Sequence, residues 1–163
     1  MRLFSRLFTA GTVVAVTALT GSTAAMAVDT PPSGVEEFDY PQADKIFKER
    51  GIKLKRGDGH IVLVACDSRP GLIEVRARGM KEIDKVGAGR FCFRVTGTSG
   101  YLSLELPSVY LAKGNDSYKT DVNMVTDNQE KSFTLEKDNW TSVGEPVDPE
   151  HRPFTLLEIV AKK

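Results

Sequence analysis

The sequence predicts an all-β domain, an antiparallel β-sandwich or partly closed barrel with one short N-terminal helix. Three observations predict it. After Gly51 the apolar residues recur with period two instead of the helical period. Turn-forming clusters interrupt the chain at roughly ten-residue spacing, as in sandwiches and barrels. No helical crossover of the kind a parallel sheet requires follows Gly51.

The elements follow in order. Arg2 and Arg6 precede an apolar, uncharged run from Leu7 to Thr20, and Ala25-Met26-Ala27 supplies small residues ahead of Val28. That order of parts is a secretory signal, with cleavage expected before Val28 and a secreted product. The run is shorter than the 20 or so apolar residues of a membrane span and is diluted by threonines. Residues 28–40 hold Pro31, Pro32 and Gly34 and read as a flexible lead-in. Residues 41–163 then form a single β domain. Ala43, Ile46, Phe47 and Arg50 share helical spacing, Pro41 suits a first turn and Gly51 a C-terminal cap, so a helix is expected over 41–50. Ile52 and Leu54 alternate with lysines. The continuous apolar run from His60 to Cys66 suits a central strand covered on both faces. Residues 72–78 and 90–96 alternate cleanly, separated by an aperiodic loop at 79–89. Further strands are expected at 101–106, 109–112, 118–126, 133–135, 140–143 and 154–160, with a proline-bearing loop at 145–153. Phe91, Phe93, Leu102, Leu104, Val122, Phe133 and Ile159 are the expected core.

Charge narrows the function. The chain carries 22 basic and 22 acidic residues, and loss of the signal removes two arginines. A near-neutral, slightly acidic domain is no general polyanion binder, so no nucleic acid is expected as partner. The only two cysteines, Cys66 and Cys92, are expected to be bridged in an exported chain. Parity sets Cys92 opposite Phe91 and Phe93, which puts the bridge outside the main core, pinning a loop or helix there.

Candidate chemistry is sparse. Gly97-Thr98-Ser99-Gly100-Tyr101 lacks the last glycine of a nucleophile elbow and leads into a strand. The two histidines, His60 and His151, have no suggestive neighbours, and the cysteines lack redox spacing. Asn115, Asp116, Asp121, Asp127 and Asn128 offer oxygens without the spacing of a calcium loop, so no metal and no cofactor is expected. Arg56-Gly57-Asp58 is an RGD tripeptide at a turn, and Asn115-Asp-Ser117 and Asn139-Trp-Thr141 are glycosylation sequons. The most suggestive polar set is Arg76, Arg78, Arg90 and Arg94. Parity sends all four outward, into one basic patch if strands 72–78 and 90–96 pair, with Glu74 and Glu105 nearby. Tyr101 also points outward, and arginine with tyrosine is favoured at binding surfaces. A solvated face with cross-strand ion pairs would show the same pattern.

From Ala43 to Val160 the chain resembles a group of small secreted proteins of filamentous actinobacteria. The stretches that carry the likeness are Ile46-Phe-Lys-Glu-Arg-Gly-Ile-Lys-Leu-Lys-Arg-Gly-Asp-Gly59, Phe91-Cys-Phe-Arg-Val-Thr-Gly97 and Gly100-Tyr-Leu-Ser-Leu-Glu-Leu-Pro-Ser-Val-Tyr110. The resemblance implies export and β architecture and carries over no catalytic residue. The residues themselves lead to a secreted, non-enzymatic binding or accessory module. Its contact surface is expected at Arg76, Arg78, Arg90, Arg94 and Tyr101, against an anionic cell-surface polymer or a secreted protein, without membrane insertion after maturation. The alternative is an inhibitor or regulator of an extracellular enzyme, acting through loop 79–89. A small hydrolase would need His60 or His151 beside a nucleophile.

Overall fold

Period-two alternation needs two apolar faces to meet, and two sheets supply them. A computed structural model describes residues 36–163; the expected signal 1–27 and the first part of the lead-in lie outside the described residues. The order is β1 (Phe38–Asp39), α1 (Ala43–Arg50), β2 (Lys53–Gly57), β3 (Ile61–Val64), β4 (Ile73–Ala77), β5 (Arg90–Val95), β6 (Ser99–Leu106), β7 (Val109–Lys113), β8 (Lys119–Thr126), β9 (Gln129–Leu135), β10 (Trp140–Ser142) and β11 (Thr155–Lys162), with a 3-10 turn at Glu145–Val147. Six strands form one sheet in the order β1-β2-β6-β11-β8-β9, and five form the other as β10-β7-β4-β5-β3. All the strand pairings are antiparallel. The arrangement is a sandwich, not a closed barrel.

The inner faces are those the alternation marks. Ile73, Val75, Phe91, Phe93 and Val95 of the smaller sheet join Leu102, Leu104, Leu106, Val122, Met124, Leu156 and Ile159 of the larger in one buried cluster. Leu156 and Ile159 are three apart, which a regular strand would send to opposite faces. A register shift between Leu156 and Glu158 turns both inward.

Helix α1 ends as its sequence dictates. Gly51 takes a left-handed φ of 69°, and its N–H bonds to Phe47 O. No residue of α1 is fully buried, so so short a helix depends on tertiary anchors. Its anchor is Arg50, described below.

Four expectations need correction. The run His60–Cys66 is not a central strand: β3 lies at the edge of the smaller sheet, paired only with β5. It is apolar throughout because Ile61 faces the core, while Val62 lies under the chain ahead of the helix, where Phe38, Tyr40 and Pro41 line the same pocket. The lead-in is consequently ordered at its end. Phe38 and Asp39 pair with β2, and the Tyr40 hydroxyl accepts the Leu63 N–H at 2.8 Å. That hydroxyl caps part of the open edge of β3, which would otherwise invite pairing with another chain. Phe133 is only partly buried, since β9 is an edge strand; its ring meets Phe154 edge-on at 6.4 Å. Finally, the expected strands 101–106 and 109–112, two residues apart, do not continue one another: β6 and β7 lie in different sheets, so the chain crosses the sandwich at Pro107-Ser108.

Cys66 and Cys92 are bridged, with Cα atoms 5.0 Å apart across a separation of 26 residues. Cys92 sits on the outer side of β5, away from the core cluster, as parity predicts, and the bridge pins the segment after β3 to that face. Replacing both cysteines by serine is expected to lower unfolding free energy by about 3.5 kcal/mol, the loop-closure value for a ring of this length. Urea denaturation of the double variant checks it; an unchanged midpoint would show that the crosslink restrains nothing in the unfolded chain.

Candidate functional site

Strands β4 and β5 do pair, and Arg76 lies directly opposite Arg90. The outer face of the smaller sheet therefore holds Arg76, Arg90 and Arg94 together, as parity predicts. Arg78 follows just past the end of β4. Tyr101 is not among them. It belongs to β6, in the other sheet, so the five residues do not make one patch. Parity gives the side of a strand but not the sheet that the strand joins. The Tyr101 hydroxyl donates to Glu158 at 3.1 Å, and Asn123 donates to the other Glu158 oxygen at 2.8 Å. Burial and then the neighbouring Glu158 charge push the Tyr101 hydroxyl above its ordinary pKa. Glu105 is likewise on the larger sheet, held by Lys53 and Lys55.

The arginines are mostly neutralised where they stand. Glu74 lies between Arg76 and Arg90, accepting from Arg76 at 2.9 Å and from Arg90 at 2.8 and 3.1 Å. Burial would raise the Glu74 carboxyl, but the two guanidiniums outweigh it and hold it below the usual carboxylate range. Arg90 also meets Asp67 at 3.2 Å, and Arg78 meets Glu145 at 3.2 Å. What distinguishes the face is the aromatic surface under the cations. Arg76 lies 5.4 Å from the ring centre of Trp140, and Arg78 lies 4.7 Å from that of Tyr110. Trp140 is 39% exposed on β10, the outermost strand of this sheet. Register puts Trp140 beside Lys113, and Lys113 beside Glu74, so tryptophan, ion pair and disulfide lie along one row across the sheet. Neither Trp140 nor Tyr110 entered the sequence reading as a binding residue. The signal that could have found Trp140 is an aromatic at the exposed edge of a short strand.

Other motifs resolve into structure. In the RGD tripeptide, Gly57 is buried in β2, and a side chain there would meet Tyr101 O at 2.7 Å. The Asp58 carboxylate accepts the backbone N–H groups of His60 and Tyr101, at 2.9 and 3.0 Å, so the tripeptide is built into the sandwich and not displayed. Asn115 is buried and its side chain is spent on Gly71 O and the Ser117 N–H, which closes that sequon in the folded state; Asn139 is exposed. His60 Nδ1 lies 3.4 Å from Asp58, but among the described residues no hydroxyl or thiol bonds to its other nitrogen. No cluster of three or more metal-ligating side chains occurs among the described residues. No helix among them is long and apolar enough to cross a membrane.

Loop 79–89 has an internal frame. The buried Asp84 carboxylate accepts the N–H groups of Val86, Gly87 and Gly89 at 2.9–3.1 Å and is paired with Arg50 at 2.7 Å. Arg50 also donates to Arg90 O and lies over the Phe91 ring at 4.8 Å. Thus α1, the loop and β5 are tied through one carboxylate, while Ile83 and Val86 stand exposed. A second buried carboxylate, Asp148, does the same for 145–153, holding Arg152 at 2.9 Å and Lys131 at 3.0 Å. No family model and no curated protein matches the chain.

Proposed function

We propose that the chain is a secreted, non-catalytic binding module for a protein partner, engaging through the outer face of the smaller sheet. The observation that carries the reading is the half-exposed Trp140 with Arg76 over its ring, next to Arg78 over Tyr110. Tryptophan, tyrosine and arginine are enriched at binding hot spots, the two aromatics because they bring large contact area with little flexibility. The acids Glu74, Asp67 and Glu145 leave this face near neutral. Such balance favours a protein surface over a polyanionic polymer. The signal pattern and the bridged cysteines support export.

Capture from culture medium with the purified protein tests this. A protein partner is expected, and Trp140→Ala is expected to weaken its binding by about 2 kcal/mol, roughly thirtyfold. Trp140 is exposed on an edge strand, so the melting temperature should barely change. Binding that survives both Trp140→Ala and Arg76→Ala would overturn the reading, as would capture of only an anionic polymer. A second reading has its own observation. Loop 79–89, braced from within and enclosed by the bridge, presents Ile83 and Val86 as an inhibitor loop would. Slowing of a secreted protease that is lost in Val86→Asp would favour it.

A further inference from the structure

Arg94 differs from the other three arginines. Arg76, Arg78 and Arg90 each have a carboxylate partner, and Arg94 has none among the described residues. Its Nε is buried and meets no acceptor. A buried donor without a partner is costly, and a bound anion is one means of drawing the rest of the guanidinium into contact with an acceptor. Arg94 opens into a cleft of about 290 Å³ between the 69–71 and 115–118 turns, which Arg69 and Lys163 also line. Neither of these two cations has an ion-pair partner among the described residues. The Lys163 ammonium lies over the Tyr118 ring at 5.3 Å.

The remaining polar groups of the cleft are already committed. Asn115 donates to Gly71 O, the Tyr118 hydroxyl donates to Gly97 O at 2.7 Å, and the Ser117 hydroxyl donates to Asp116 at 2.9 Å. The free side-chain donors are therefore the three cations, and the opposing side-chain charge is Asp116. Cationic side chains outnumber the anionic one, so the cleft favours an anion.

We propose that this cleft is a binding site for a tetrahedral oxyanion, a phosphate or sulfate group. The partly buried Arg94 supplies a planar guanidinium fork that matches two oxygens of such a group. Arg69 and Lys163 are exposed and close over the outer oxygens. A carboxylate would satisfy the fork but has no further oxygens for Arg69 and Lys163 to meet. The site is separate from the Trp140 face: none of its charged groups takes part in the Arg76–Glu74–Arg90 network, so failure of one reading leaves the other standing.

Thermal unfolding of the full chain, titrated with inorganic phosphate at constant ionic strength, tests the proposal. Phosphate and sulfate are expected to raise the melting temperature saturably, acetate less, and chloride not at all. Arg94→Gln should weaken apparent phosphate affinity about tenfold, the value of one charge-assisted contact. Arg69→Gln, an exposed change that leaves the strands intact, should weaken it several-fold. Asp116→Asn should tighten it, because it removes the opposing charge. The absence of a saturable rise, or affinities unchanged in both Arg94→Gln and Arg69→Gln, would overturn the proposal. Glycerol phosphate distinguishes the source of the group. Affinity equal to that of inorganic phosphate assigns the site to phosphoryl groups carried on larger molecules, and exclusion of the ester assigns it to the free ion; both results uphold an oxyanion site.

Discussion

Phe93→Ala is expected to destabilise the domain by about 3–5 kcal/mol, the range for emptying a buried aromatic site. Phe93 is wholly buried on β5. Its strand neighbours are Leu63 on one side and Ile73 on the other, so the ring stands in the middle of three strands. The facing sheet presents Leu102, Leu104, Leu106, Val122, Met124, Leu156 and Ile159, and such a core relaxes only partly into the space of a lost phenyl ring. For a domain at the low end of ordinary stability, about 5 kcal/mol, such a loss brings unfolding close to room temperature. Phe93→Leu keeps most of the volume and should cost under about 1.5 kcal/mol. The two urea midpoints should separate accordingly at unchanged slope. A cost below about 1 kcal/mol for Phe93→Ala would mean that the inner face of β5 is not packed as described.

Asp84→Ala should be almost as severe, about 3–4 kcal/mol, because it leaves Arg50 as an unpaired charge that is only 14% exposed and strips three N–H groups of their acceptor. The effect should depend on pH with a definite sign. Burial alone would raise the Asp84 carboxyl; Arg50 and the N–H groups of Gly87, Gly89 and Val86 outweigh it, so the folded value lies below the ordinary one. A carboxyl depressed by folding contributes fully above its unfolded pKa, about 4, and loses that contribution as pH falls through the folded value. The stability gap between the two proteins should be full at pH 6 and narrow progressively below about pH 4. A gap that stays constant into strong acid would show that the ionised carboxylate is not what holds the loop. Hydrogen exchange should also localise the damage, with residues 84–90 losing protection ahead of β6 and β11.

Much of the sandwich is legible in local pattern. Alternation identifies the inner faces of β4, β5, β6 and β8 because each has one buried side and polar groups on the other. What local pattern cannot give is which strands share a sheet. Tyr101 and Arg90 both read as outward, yet they face solvent on opposite sides of the molecule because the sequence neighbours β5 and β6 lie in different sheets. The edge position of β3 was hidden for a related reason: its second face is covered by residues 38–41, which composition marks as a linker. The outward arginines were readable, but their neutralisation was not. Glu74 is two residues from Arg76, but its tie to Arg90 depends on strand register. The Arg94 cleft is assembled from Arg69, Asp116 and Lys163, which no spacing rule connects.

The order of strands in the larger sheet governs when this protein can fold at all. Strand β11 lies between β6 and β8 and is paired along its length with both. It is therefore the keystone of that sheet, although it is the last strand in the chain. While a ribosome is still making residues 155–162, β1, β2 and β6 have no neighbour on one side and β8 and β9 have none on the other. The two parts are joined only when β11 pairs with both. Closure spans 50–63 residues to β6 and 30–43 to β8, a high-contact-order step that is slow by the standards of small domains. The larger sheet is thus completed only when β11 joins it, and any factor that holds the chain before then meets the two parts of that sheet unjoined.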